Sequence, residues 1–267
     1  MKQLKLMVLT LTLLMGTMFT SCMDSGESGP QQWAGVVKVN DRMRYVTFTD
    51  AAGTELIPTN TIPVTLNARM AYIYCQVDEG QDLSTNPKSI KITLLADPTG
   101  IDATAITTPK VGESGDVTTN APVGSLSFAS GYSTVAPFQF SENTIVLPVL
   151  YRVKNVTTTE DIKNELAKHT FTLVCYTDDI KSGDTILKFY LRYKVEDEPA
   201  AIAERATRTS SFKAYEISQI LREYTLKSGQ AKPAKITIVA KQNEYNNKLE
   251  DTSTIEKVYE IEYKTAE

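Results

Sequence analysis

Along most of this chain the apolar residues recur at every second position in short runs, and a period of two commits such a chain to pleated sheet rather than to helix. VVKV, RYVTF, IPVTL, AYIYCQV and IKITLL follow one another between Trp33 and Leu95, separated by turn formers such as Asn40 with Asp41, Gly53, Pro58 and Asn86 with Pro87. Short strands this close together build a small barrel or sandwich. In Met70–Val77, the residues Ala71, Ile73, Cys75 and Val77 share one face while Tyr72, Tyr74 and Gln76 take the other. The tyrosine face is either a binding surface across strands or the cover of a second core.

From Asp97 to Asn143 the composition shifts to Gly, Ser, Thr, Ala and Pro, with breakers at Pro98, Pro109, Gly112, Gly115 and Pro122. This stretch reads as a linker with irregular strands, or alternatively as a mobile binding loop. Alternation resumes at Ile145, Leu147, Val149, Tyr151 and Val153, and Pro148, which cannot donate a ladder bond, places that strand at a sheet edge. TTTEDIKNELAK carries helix-starting threonines, Glu160 and Asp161 in its first turn, and Ile162 and Leu166 four apart, which predicts a short helix. FTLVCY and ILKFYLRYKV flank DDIKSGD and form a hairpin. Its Asp178, Asp179 and Asp184 read as turn chemistry, because the EF-hand order of ligands and its closing Glu are missing. A second short helix is expected around residues 199–206, and strands return in SSFKAYEI, AKITIVAK and VYEIEYK. The βαβ rhythm, internal repeats and glycine-rich phosphate loops are all absent, so the reading is all-β with two domains.

The amino terminus constrains location. MKQLK, charged at Lys2 and Lys5, precedes an uncharged and mostly apolar run from Leu6 to Phe19, the layout of a signal peptide. A spanning helix needs about 20 apolar residues, and this run stops short of that. The junction Phe19, Thr20, Ser21, Cys22 resembles the lipobox of bacterial lipoproteins, with Phe19 where leucine is usual. That resemblance implies lipid attachment at Cys22, palmitate included, and hence a membrane partner through covalent lipid. Each buried CH₂ of an acyl chain contributes about 0.8 kcal/mol, and two chains hold stably. MDSGESGPQQ after it is too poor in core formers to fold and reads as a tether reaching at most about 35 Å. Asp24 and Glu27 resemble a sparse form of the acidic signal that sends Bacteroidota lipoproteins to the cell surface. The expected location is the outer membrane, on its periplasmic face or at the surface.

Loss of the leader with its two lysines takes the net charge from −4 to −6. No nucleic acid is expected as a partner, since phosphate neutralisation needs clustered Lys and Arg. His169 is the single histidine, which excludes multi-histidine metal sites, and its place after TTTEDIKNELAK reads as a helix end suited to a cation. Cys75 and Cys175 both fall on core faces of separate domains, too far apart for the roughly 7 Å that bridging requires, so free thiols are expected. No catalytic, cofactor-binding or metal-ligating residue emerges, and the chain does not read as an enzyme.

GVVKV, YVTFTDAAGTELIP with its hairpin, and ARMAYIYCQVDE resemble the amino-terminal OB-like domain of the NigD-like lipoproteins of Bacteroidota. HTFTLVCY, ILKFYLRYK and FKAYEISQIL, the last a strand running into a short turn, are similar to that family's carboxy-terminal β-sandwich. Residues 101–143 are longer than in that family, and Asn67 and Ala68 replace its glycine before Arg69. The resemblance implies a small OB-like barrel over residues 33–110 and an antiparallel β-sandwich over residues 144–267 with one or two short helices. Residues 1–21 form the leader, 22–32 the tether and 111–143 the low-complexity linker. The family's role, protection against a bacteriocin, implies a binding function with a toxin or an envelope complex as protein partner. The alternatives are a structural or adhesive subunit similar to the fimbrillin-like lipoproteins, and a glycan-binding surface lipoprotein.

Overall fold

A computed structural model describes residues 31–42, 45–60, 66–81, 83, 87–101, 103–113, 115–130 and 133–265. The chain divides into two compact units, the first running to Ala103 and including Ala129–Val135, the second made of Thr104–Phe128 and Ala136–Glu267.

The first unit is a closed barrel. Its strands are β1 (Gln32–Arg42), β2 (Tyr45–Thr49), β3 (Glu55–Pro58), β4 (Met70–Val77), β5 (Ser89–Leu94) and β6 (Thr99–Ile101). Five of them close in the order β1-β2-β3-β5-β4 and back to β1, while β6 extends β4. Strand β1 makes closure possible because it is long enough to serve two neighbours: Gln32–Lys38 pairs with β4 and Lys38–Arg42 pairs with β2. Among the described residues the one parallel contact of the barrel is β3 with β5. This is the five-stranded Greek-key order of an OB fold, as the resemblance to the NigD-like lipoproteins implies. Between β2 and β3, Asp50 organises the turn by accepting the Ala52 and Thr54 N–H groups at 2.9 and 2.8 Å, and Gly53 supplies the positive φ of 86° that a side chain would strain. Trp33, Val37, Phe48, Leu56, Ala71, Ile73, Cys75, Ile90, Ile92 and Leu94 fill the interior, so the predicted faces of β4 hold.

The second unit is a sandwich. Its larger sheet runs β16 (Ile255–Glu262), β15 (Lys235–Gln242), β13 (Ile186–Val195), β12 (His169–Val174) and β7 (Ile106–Thr107). The smaller runs β10 (Phe138–Ser141), β11 (Thr144–Val153) and β14 (Thr207–Glu216). The two-stranded pair of β8 (Phe128–Ser130) with β9 (Ser133–Val135) falls, except for Phe128, in the first unit. Alternate residues of both sheets meet in one core, from Ile145, Leu147 and Val149 to Phe189, Leu191 and Ile238. The expected hairpin is present as β12 against β13. Not every pair is antiparallel, because β13 with β15 and β12 with β7 run parallel. Ala121, Val123 and Leu126, inside the stretch that reads as linker, are at most 1% exposed and belong to this core.

Three helices punctuate the second unit: α1 (Thr159–Ala167), α2 (Pro199–Ala203) and α3 (Ser218–Ser228). Thr158 caps α1 by accepting the Asp161 N–H, as the sequence predicts. The eleven-residue α3 replaces the short turn expected after FKAYEI, and it ends at Gly229 in the left-handed region with φ 74°. Pro148 sits on the central strand of its sheet, not at an edge. Leu150, of the same parity, bonds to Ser125 on the side away from β14, and β10 reaches only to Val146. The missing N–H of Pro148 therefore falls in the gap between those two partners, where no ladder bond is lost.

Candidate functional site

Cys22 and the lipobox residues Phe19, Thr20 and Ser21 lie outside the described residues. Among the described residues no helix is long and apolar enough to cross a membrane.

A cluster of titratable groups surrounds His169, which follows the end of α1, opens β12 and is buried. Lys168 takes the C-cap position of α1. His169 Nδ1 lies 2.7 Å from Tyr193 Oη and Nε2 lies 3.3 Å from Glu165 Oε1. Glu165 Oε1 also accepts the Lys154 N–H at 2.9 Å and Arg205 Nε at 2.7 Å, while Arg205 Nη2 donates to Glu165 Oε2 at 3.2 Å and to Asp197 Oδ2 at 3.0 Å. Lys154 and Lys168 complete the shell of Asp197 at 3.0 and 3.2 Å. Behind the imidazole, Phe171 and Tyr193 stack with ring centres 4.7 Å apart and Tyr151 meets Phe171 edge-on at 5.0 Å.

Burial lowers the His169 pKa, and the bond to Glu165 does not offset it. Burial also pushes Glu165 upward, but the Lys154 N–H, Arg205 and His169 outweigh that and hold the carboxyl below its usual range. Lys154, Arg205 and Lys168 hold Asp197 lower still. A histidine beside a carboxylate resembles an acid–base pair, yet the His169, Glu165 and Arg205 side chains are 1%, 5% and 0% exposed. No substrate reaches groups closed off to that degree, and each of the three side chains is already bonded to a neighbour. The cluster ties α1 and the α2 region to strands β12 and β13. Sequence reasoning missed it because, although Glu165 lies only four residues before His169, Arg205 and Asp197 join them only through the fold.

Both remaining cysteines are free and buried, in separate cores. Burial pushes each thiol up to about 12, which makes them inert core residues. In the acidic loop Asp184 accepts the Lys181 N–H and Asp178 pairs with Lys227 at 2.7 Å, so its charges serve the turn. Among the described residues no three His, Cys, Asp or Glu side chains gather to hold a metal. On the barrel's outer face Tyr74 is 38% exposed and donates to Gln32 Oε1.

The second unit carries an open groove of about 570 Å³ beside α3, with Leu221, Arg222, Leu226, Tyr263 and the ion pair of Lys232 with Glu142 among its lining. Leu226 is 84% exposed there. Its walls mix Leu221, Leu226, Ala231 and Tyr263 with the polar Asn143, Ser218 and Thr225 and the charged Arg222, Lys232 and Glu142, an arrangement that can seat another molecule's side chains.

No family model and no curated protein matches the chain. Among solved structures, a Bacteroides fragilis protein named "Putative lipoprotein" is 95% identical, with a TM-score of 0.82 over 89% of this chain and 100% of its own. A protein of unknown function from Bacteroides vulgatus is similar at 11% identity and TM-score 0.54, covering 88% of this chain and 92% of its own, which speaks to the fold alone. A NigD-like immunity protein from Bacteroides caccae aligns at 12% identity and TM-score 0.49, over 87% of this chain and 94% of its own.

Proposed function

The chain belongs to the family of the 95% identical Bacteroides fragilis lipoprotein, and on that premise we propose that it is held to the outer membrane by lipid on Cys22 and has a non-catalytic binding role. The observation that carries this reading is the leader that ends in Phe19, Thr20, Ser21 and Cys22 and is followed by a polar tether. The sealed cluster at His169 supports the non-catalytic part, since the one histidine is engaged by its neighbours. The partner is a protein, either a toxin intercepted at the envelope or a component of an envelope complex. The toxin version comes with the resemblance of GVVKV, ARMAYIYCQVDE and HTFTLVCY to the NigD-like lipoproteins.

Tagged full-length protein isolated from envelopes in mild detergent is expected to bring down a stoichiometric protein partner in at least one growth phase. Isolation of the chain alone under every growth condition would overturn the binding role. Protease treatment of intact cells then sorts the two partners, because a toxin interceptor at the surface is digested while an envelope-assembly subunit facing the periplasm is protected.

A further inference from the structure

The smaller sheet of the second unit sets two arginines against each other. Arg152 on β11 stands directly opposite Arg208 on β14. Residues paired in that way share a face with Cβ atoms about 5 Å apart, and like charges so placed weaken the ladder. Arg152 is 7% exposed, and an arginine buried to that extent ordinarily has a carboxylate to neutralise it. Among the described residues neither guanidinium forms a salt bridge. Their partners are neutral carbonyls instead. Arg152 Nη1 donates to Ala206 O at 3.0 Å and Nη2 to Glu244 O at 2.6 Å, while its buried Nε has no acceptor. Arg208 Nη2 donates to the same Glu244 oxygen at 2.7 Å, and the rest of its exposed fork is unused among the described residues.

Two cations thus converge on one carbonyl oxygen in a chain with a net negative charge, with donors to spare and no anion of their own. We propose that Arg152 and Arg208 form an oxyanion site, in which a phosphate, sulfate or carboxylate group accepts from the free N–H groups of Arg208 and lies in the field of Arg152. The planar guanidinium fork matches such oxygens with two parallel bonds. An anion there also cancels the cross-strand repulsion, so occupancy stabilises the β11–β14 pair as well as the ligand. The nearby carboxylate of Glu244 does not fill this place, because it turns to Gln242 Nε2 at 3.1 Å. The site is independent of the lipid anchor and of the partner proposed above.

Thermal unfolding of the full mature chain in neutral detergent tests the site with inorganic phosphate, acetate and chloride at matched ionic strength. Phosphate or acetate at tens of millimolar is expected to raise the midpoint by about 3–6 °C over chloride, the shift a millimolar site gives. A larger shift with phosphate assigns the site to phosphoryl groups, and a larger shift with acetate assigns it to carboxylates. In Arg208→Gln, an exposed substitution that spares the core, the shift disappears. Equal midpoints in all three salts, or a shift that persists in Arg208→Gln, would overturn the proposal.

Discussion

Helix α3 turns Ile220, Tyr224 and Ser228 into the second unit, whereas α1 turns in Glu165 alone. The two are of similar length, eleven and nine residues, and are held by opposite means. Apolar burial seats α3 against the sandwich. On α1 the two apolar residues, Ile162 and Leu166, are 43% and 42% exposed, and the buried contact is a carboxylate bonded to Lys154, His169 and Arg205. An apolar contact weakens in proportion to the area lost, but a buried ionic contact fails when one member is removed, because the remaining charge is stranded.

That difference sets the order of mutational effects. Glu165→Ala leaves Arg205 with Asp197 as its only carboxylate and is expected to cost about 3–5 kcal/mol in chemical unfolding. A loss below about 1 kcal/mol would show that α1 is held by something else. Ile220→Ala, which removes apolar contact from α3, should cost about 3 kcal/mol. The pH dependence comes next. The His169 pKa is depressed in the fold, so the unfolded chain takes up the proton first. Stability should be full above about pH 6.5, the ordinary histidine value, and decline as pH falls below it, by at most about 1.4 kcal/mol per pH unit. His169→Gln should flatten the curve between that value and the range below about pH 4.5, where Glu165 and Asp197 begin to protonate in the unfolded chain. Smallest is Ile162→Ala, expected to change stability by less than about 0.5 kcal/mol despite removing the most apolar residue of α1.

The same two helices show what was legible beforehand. Helix α1 could be read because Thr158, Glu160 and Asp161 mark its start locally, but the face it buries depends on Arg205 and Asp197, which only the fold delivers. Helix α3 was missed although Ile220 and Tyr224 lie four apart and Gly229 marks its end, since the strand alternation of FKAYEI runs straight into it. Strands were readable from their period of two: in β16 Tyr259 and Ile261 face the core while Glu256, Glu260 and Glu262 face out. Closure of the barrel was not in the periodicity. It follows from β1 serving both β2 and β4, and only the likeness to the NigD-like strands pointed there. Pro148 misled because a missing donor marks a gap beside a strand, and here the gap lies within the sheet. The proposed anchor rests on the sequence alone, while the opposed Arg152 and Arg208 became visible only through the register of β11 with β14.

Detergent phase partitioning of the full-length chain, wild type beside Cys22→Ala, tests the central claim most directly. The account predicts wild type in the detergent phase and Cys22→Ala in the aqueous phase, with both forms unfolding at the same midpoint. Identical partitioning of the two would contradict the lipid anchor and with it the envelope role built on it.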